Sequence, residues 1–356
     1  MEIDFQPLEK LMRRKRVDAL LFFSRENIRY LCGFTGSDGV LVVAGKERIF
    51  LSDSRYEEQA REETWGARFR KYRQKIAGLA ELLKSLPVKR VGFESAAVNY
   101  ESYQQLKGKI PRTALIPLNA ELRALRARKR PDEMEKIKEA IRIASRAFLE
   151  AVPRLRPGAK ERAVADTLDW RMKKRGGEGN AFPTIFASGE RAALPHGGAT
   201  QKRVVSGETV VVDFGVCFQG YNSDETQTII LGRPDREQRR VYETVLRAQE
   251  KAMNAIRPGV SVRRIDAAAR EVIARAGYGK FFGHGTGHGV GLAVHEEPAI
   301  SLKGRGVVEE GMVFTVEPGV YIPGWGGVRL EDMVVVTGQG YEKLTALSKK
   351  LEDNIK

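Results

Sequence analysis

Residues 209–230 read Thr-Val-Val-Val-Asp-Phe-Gly-Val-Cys-Phe-Gln-Gly-Tyr-Asn-Ser-Asp-Glu-Thr-Gln-Thr-Ile-Ile. Two β-rich runs flank a turn around Gln219-Gly220, and each places a carboxylate, Asp213 or Asp224, where a strand favours Val or Thr. A two-residue hairpin loop at Phe218-Gln219 sets Asp213 opposite Asp224, while one at Gln219-Gly220 sets them diagonally; either way they share a face. Like charges that close repel unless they are solvated, share a proton or bind a cation. The neighbours are apolar and a solvated face would carry more than two acids, so a bound cation is the favoured explanation.

The pattern recurs. Leu155-Arg156-Pro157-Gly158 returns about 100 residues later as Ile256-Arg257-Pro258-Gly259. Each phrase follows an amphipathic helical pattern, Met134, Ile137, Ile141, Ala144, Phe148 and Ala151 in one copy and Val241, Val245, Ala248 and Ala252 in the other. Each precedes a second helical pattern, then glycines and β-rich sequence. Asp213-Phe214-Gly215-Val216 has its counterpart in Glu317-Pro318-Gly319-Val320, and the second acid of that copy is Glu331. A common face for Glu317 and Glu331 requires an odd-length loop or a bulge, which the stretch from Pro323 to Gly327 can supply. The expectation is two halves about an approximate two-fold axis, each offering a carboxylate pair to the centre.

All 4 histidines lie in this repeated section: His196 in Leu194-Pro195-His196-Gly197, and His284, His288 and His295 in the glycine-rich run beginning Gly283-His284-Gly285-Thr286-Gly287-His288-Gly289. A lone histidine is more often a satisfied core residue than a ligand. Confinement to the section that holds the doubled acids reverses that preference. Four carboxylates and an imidazole make a hard, oxygen-rich set suited to a pair of divalent ions such as Mn, Co, Fe or Zn, and four negative charges balance two dications. A water bridging such ions loses a proton near neutral pH and becomes a nucleophile.

The other sections carry less chemistry. Over 356 residues, 42% hydrophobic and 30% charged, there is room for two domains. Before about Arg126, short apolar runs at 19–23, 39–43, 48–52 and 90–94 alternate with helical patterns at 56–63 and 75–83, suggesting an α/β domain with a mixed sheet. It has no histidine and no phosphate-cradling loop, and Asp53 or Ser54 reads as a helix N-cap. The basic run from Arg123 to Arg130, closed by Pro131-Asp132, reads as a boundary into a helix. Domains are therefore expected at 1–126 and 127–356. The net charge of +15 is interleaved with acids, as in Lys160-Glu161-Arg162, so a solvated surface is favoured over nucleic-acid binding. Two cysteines, Cys32 and Cys217, make no disulfide framework, and Cys217 reads as a small apolar filler. No secretory leader or membrane-length apolar run is visible, so a cytoplasmic protein is expected.

These phrases resemble the metallopeptidase family that includes methionine aminopeptidase, Xaa-Pro aminopeptidase and proline dipeptidase, whose catalytic domain is the pseudo-symmetric α/β (α+β) pita-bread fold. The run from Asn27 to Gly36 and Asp53-Ser54-Arg55-Tyr56 resemble the smaller amino-terminal α/β domain of its proline-directed members. The resemblance implies that Asp213 binds one ion, that Asp224 and Glu331 bridge two, and that His288 and Glu317 complete the second. It implies Mn or Co, substrate-binding and proton-handling roles for His196 and His295, an orienting role for Arg329, proton handling at Glu317, short proline-containing peptides as substrates, and a homodimer. His284 is expected to be structural. Two departures stand out. Glu225 and Gln227 replace the apolar residue and arginine that relatives commonly carry, and Ala299 replaces an arginine of several microbial prolidases that could hold a dipeptide's carboxylate. The second departure tilts the expectation toward an Xaa-Pro aminopeptidase, with Xaa-Pro dipeptidase as the alternative. A metal-free binding module and a creatinase-like metal-free hydrolase are the rivals, and retention of all five ligand positions argues against both.

Overall fold

The computed structural model describes residues 5–356. The chain divides into two compact units, one ending at Arg126 and one spanning Ala127–Lys356.

The first unit is built on a six-stranded mixed sheet in the order Arg68–Lys71, Glu47–Ser52, Val40–Ala44, Ala19–Phe22, Arg90–Phe93, Ala114–Pro117. The three central strands are antiparallel neighbours and the remaining pairings are parallel. Central strands such as Ala-Leu-Leu-Phe are buried throughout, which makes their apolar runs legible. The two edge strands are short and half-exposed, Arg68–Lys71 carrying three basic residues, and they leave no alternation to read. Helix Arg25–Cys32 starts where the Ser24 hydroxyl accepts from Asn27 N–H at 3.3 Å and stops at Gly33, whose φ of 85° suits a residue without Cβ. Asp53 caps Ser54–Tyr56 by accepting from Arg55 N–H at 2.8 Å.

The second unit is the repeated one. Its first half runs through helices Pro131–Ala151 and Glu161–Lys174 into the antiparallel strands Ile185–Ser188, Thr209–Phe214 and Glu225–Ile230. Its second half runs through helices Arg236–Asn254 and Val262–Arg275 into Gly287–Gly289, Glu296–Ile300, Val313–Val316 and Asp332–Val336. Proline at the first turn, where no intrahelical N–H partner exists, opens the Pro131 helix. The helix faces expected from three- and four-residue spacing are the buried ones: Ile137, Ile141, Ala144, Phe148 and Ala151 in one, Val241, Val245, Ala248 and Ala252 in the other. Phe148 stacks on Phe214 at 4.9 Å between centroids, so helix and acid-bearing strand share one core; such a pair adds about 0.5–1.5 kcal/mol to its burial. This doubled arrangement is the pita-bread fold.

Register places the acids. In the first half, Asp213 pairs with Thr226 and Phe218 with Tyr221, so the loop is Gln219-Gly220 and Asp224 lies diagonal to Asp213 on the same face. Gln219 and Gly220 take φ values of 46° and 77°, the doubly left-handed turn that matches strand twist. In the second half, the pairs Val316–Asp332 and Gly319–Arg329 bracket Glu317 and set it level with Glu331. The intervening loop, Pro323-Gly324-Trp325, has the odd length that parity requires. Cys217 is half-exposed with Sγ 3.5 Å from Glu178 Oε2, so it is not the apolar filler its strand suggested.

Among the described residues, no helix is long and apolar enough to cross a membrane.

Candidate metal centre

The two halves meet where strand Glu225–Ile230 of the first lies against residues 328–331 of the second. Thr228 Oγ1 donates to Arg329 C=O at 2.7 Å, and Glu331 N–H donates to Thr226 C=O at 3.3 Å. That seam brings three ligand-type side chains together. Donor atoms of Asp224, His288 and Glu331 all lie within 4.8 Å of one another, the one such group among the described residues. Glu317 joins through His288, whose Nε2 is 3.3 Å from Glu317 Oε1 and 3.6 Å from Asp224 Oδ2. Asp213 sits beside them, with Oδ2 accepting from Arg329 Nη2 at 2.7 Å and a buried Oδ1 that has no partner among the described residues.

Glycines make this packing feasible. A Cβ on Gly287 would lie 1.9 Å from Thr315 O, and one on Gly289 would lie 2.2 Å from Glu297 O. The strand carrying His288 is thus pressed between its neighbours more closely than any side chain at 287 or 289 allows. His288 N–H donates to Thr315 Oγ1 at 3.1 Å, and the same hydroxyl donates to Glu317 Oε1 at 3.1 Å, which fixes both residues from one anchor.

The electrostatics ask for positive charge. Burial, and behind it the neighbouring acids, holds Asp224 and Glu331 well above the usual carboxylate range, and burial likewise raises Glu317. Burial pushes His288 down, toward the neutral imidazole that ligates metals. Arg329 is the cation hydrogen-bonded into this set. Desolvation alone would lower its pKa, but Tyr321, Asp213 and Glu317 outweigh that and raise it. Its guanidinium donates to Asp213, Thr226 Oγ1, Pro195 C=O and Tyr321 Oη, all between 2.7 and 3.0 Å. One guanidinium against four buried acids leaves an excess of negative charge, an unpartnered carboxylate oxygen and converging lone pairs, and a divalent cation fits all three features.

The centre lies in a cleft of about 860 Å³ whose walls include Phe182, Phe281, Tyr321 and Lys280. His196 and His295 line the same cleft and are exposed to it. The His295 ring sits 4.1 Å from that of His288. Burial, then the nearby His288, lowers the His295 pKa. His284 bonds Tyr321 Oη through Nε2 at 2.9 Å and Gly285 O through Nδ1 at 2.7 Å, so both ring nitrogens are occupied by protein.

Sequence reasoning passed over Thr226, Thr315 and Tyr321. The two hydroxyls sit in strands where threonine is an ordinary β-former, and only the cross-strand contact reveals them. It also passed over Lys349, a buried ammonium 2.5 Å from Glu225 Oε1, for which no local pattern exists. The departures Glu225 and Gln227 contact each other, Gln227 Nε2 donating to Glu225 Oε1 at 3.2 Å, while Gln227 Oε1 is buried with no partner among the described residues.

Comparison with known proteins agrees with this geometry. The profile of metallopeptidase family M24 matches residues 135–338, and that of the creatinase/prolidase N-terminal domain matches residues 5–128. The chain is 38% identical to a Xaa-Pro dipeptidase of Pyrococcus horikoshii over 99% of this chain and 100% of that one. Among solved structures, it is similar to a Xaa-Pro dipeptidase from Bacillus anthracis (TM-score 0.94, 38% identity, 99% of this chain and 98% of that one). It is also similar to an X-Pro aminopeptidase from Thermotoga maritima (TM-score 0.89, 39% identity, 98% and 99%). With a matched profile over most of its second unit and full-length relatives at this identity, the chain is a peptidase and belongs to metallopeptidase family M24.

Proposed function

We propose that the protein is a Xaa-Pro dipeptidase dependent on two divalent ions held by Asp213, Asp224, His288, Glu317 and Glu331, with Asp224 and Glu331 shared between them. The convergence of buried acids and one imidazole on a single guanidinium-balanced centre carries this proposal. When bound, the ions would polarise the scissile carbonyl and activate a water for attack. Mn and Co are favoured on the family resemblance.

The chain's own residues supply the rest. The Phe182, Phe281 and Tyr321 walls suit a proline ring, and burying that ring against them excludes water from the scissile bond. Glu317, whose Oε1 the Thr315 hydroxyl holds at 3.1 Å, takes a proton from the attacking water. His295 and His196, both lining the cleft, bind the substrate, and the proton that Glu317 takes from the water passes by way of them to the departing imino nitrogen. Arg329 orients Asp213 through its Nη2 contact. The resemblance supports assigning the unit up to Arg126 as the domain that limits substrate length and Ala127–Lys356 as the catalytic domain. The same resemblance supports a homodimer, and 2 cysteines, too few for a disulfide framework, suit a cytoplasmic setting.

Ala299 pointed to an aminopeptidase, but the full-length relatives from Pyrococcus and Bacillus are named dipeptidases. The Thermotoga structure keeps aminopeptidase as the second reading. A panel of Xaa-Pro dipeptides and Xaa-Pro-Yaa tripeptides under defined Mn, Co and Zn loading decides. Cleavage of dipeptides alone supports the dipeptidase, release of Xaa from tripeptides supports the aminopeptidase, and no cleavage of either sinks both.

A further inference from the structure

Behind the acids that both ions would share lies a second buried charge cluster. Glu225 directly follows Asp224, and Asp332 directly follows Glu331. Alternation along a strand turns each of these followers away from the centre, and the same ammonium meets both. Lys349 Nζ is 2.5 Å from Glu225 Oε1 and 3.6 Å from Asp332 Oδ1, and the three side chains are 4%, 2% and 1% exposed. Remaining contacts lock each acid to its own half. Ser145 of the first long helix donates to Glu225 Oε2 at 3.1 Å, while Gln249 of its counterpart in the second half donates to Asp332 Oδ2 at 3.1 Å. Thr345 Oγ1 donates to Asp332 Oδ1 at 2.5 Å.

Lys349 itself belongs to neither hairpin. It comes from the last segment of the chain, which is stitched to both halves. Leu347 is buried in the first-half core and Leu351 in the second-half core. Farther on, Lys356 N–H donates to Ile230 C=O at 3.0 Å and Gly232 N–H donates to Lys356 C=O at 2.6 Å. Burying an ammonium and two carboxylates carries a desolvation penalty for each ion, so apolar side chains would serve stability at least as well. What a shared ammonium adds is a directional tie between two elements.

We propose that Lys349 is a positioning residue for the metal-ligand set: by clamping Glu225 and Asp332 it sets the spacing of the neighbouring Asp224 and Glu331. The inference rests on the metal-dependent function proposed above. It makes a prediction whose sign separates it from a plain charge effect. Removing a cation from the neighbourhood of a cation site tightens metal binding if Coulomb attraction alone matters. Loss of positioning weakens it, by about 10- to 100-fold for partners that stand behind ligands.

The test is calorimetric titration of Mn²⁺ into metal-stripped, full-length wild type, Lys349→Met and the double variant Glu225→Gln/Lys349→Met, with thermal unfolding of each. The double variant leaves no unpaired Glu225 and decides the matter should the single variant fail to fold. Folded variants that bind Mn²⁺ at least ~10-fold more weakly than wild type support the inference. Affinity equal to or tighter than wild type overturns it, even where the melting temperature drops, because that is what a merely structural role produces. Wild type that takes up no divalent ion at all would instead overturn the proposed function, and the inference with it.

Discussion

The Thr226 hydroxyl donates a 2.6 Å hydrogen bond to Glu331 Oε2, joining a strand of the first half to an acid of the second, and accepts from Arg329 Nε at 3.0 Å. One small side chain therefore aligns an acid of the centre and the cation that balances it. Thr226→Val keeps the shape and deletes both contacts. Hydrogen bonds to charged groups contribute about 1.5–3 kcal/mol, so divalent-ion affinity should fall by roughly 10-fold or more, measured by titration of the metal-stripped protein. Unchanged affinity would show that Glu331 needs no such anchor.

Glu331→Gln removes one of the mutually repelling buried acids. The metal-free variant should melt above metal-free wild type at neutral pH, because Gln is neutral without the proton uptake that folding demands of Glu331. It should also lose the melting shift that added ion produces, and kcat/KM should drop by at least ~100-fold, since ion catalysis supplies several kcal/mol. A variant that keeps its ion-induced shift would remove Glu331 from the ligand set.

Arg329→Met strands Asp213, whose Oδ1 already has no partner among the described residues, in a buried setting. Removing one partner of a buried ion pair typically costs about 3–5 kcal/mol, which urea unfolding of the metal-free protein would register directly. A cost below about 1 kcal/mol would place the pair among those that surface solvent already screens.

The raised pKa values of Asp224, Glu317 and Glu331 set a sign for pH. In the metal-free fold these groups hold protons that the unfolded chain has already released. Their contribution is complete below the ordinary carboxylate range and is lost as pH rises through the raised values. Divalent ions compete with those protons for the same oxygens. Ion-induced stabilisation should therefore grow with pH, and binding should release protons, seen as a dependence of calorimetric heat on buffer ionisation enthalpy. Buffer-independent heats and a flat affinity between about pH 6 and 8 would contradict it.

By itself the amino-acid sequence determined the doubled architecture, the acid pair on each hairpin and the confinement of histidine to one section. Those follow from features the chain carries locally: side-chain alternation along a strand, loop parity, helical periodicity and a repeated Arg-Pro-Gly phrase. It narrowed the first hairpin to two registers, and the left-handed pair Gln219-Gly220 chose between them. Only the tertiary structure decided which groups stand behind the acids. Thr226, Thr315 and Tyr321 are ordinary strand residues until a neighbouring strand arrives, and Lys349 lies 124 positions from the glutamate it pairs with. Partners so far apart leave no periodic trace, because desolvation and hydrogen-bond geometry arise only when distant segments close on the same few ångströms of space.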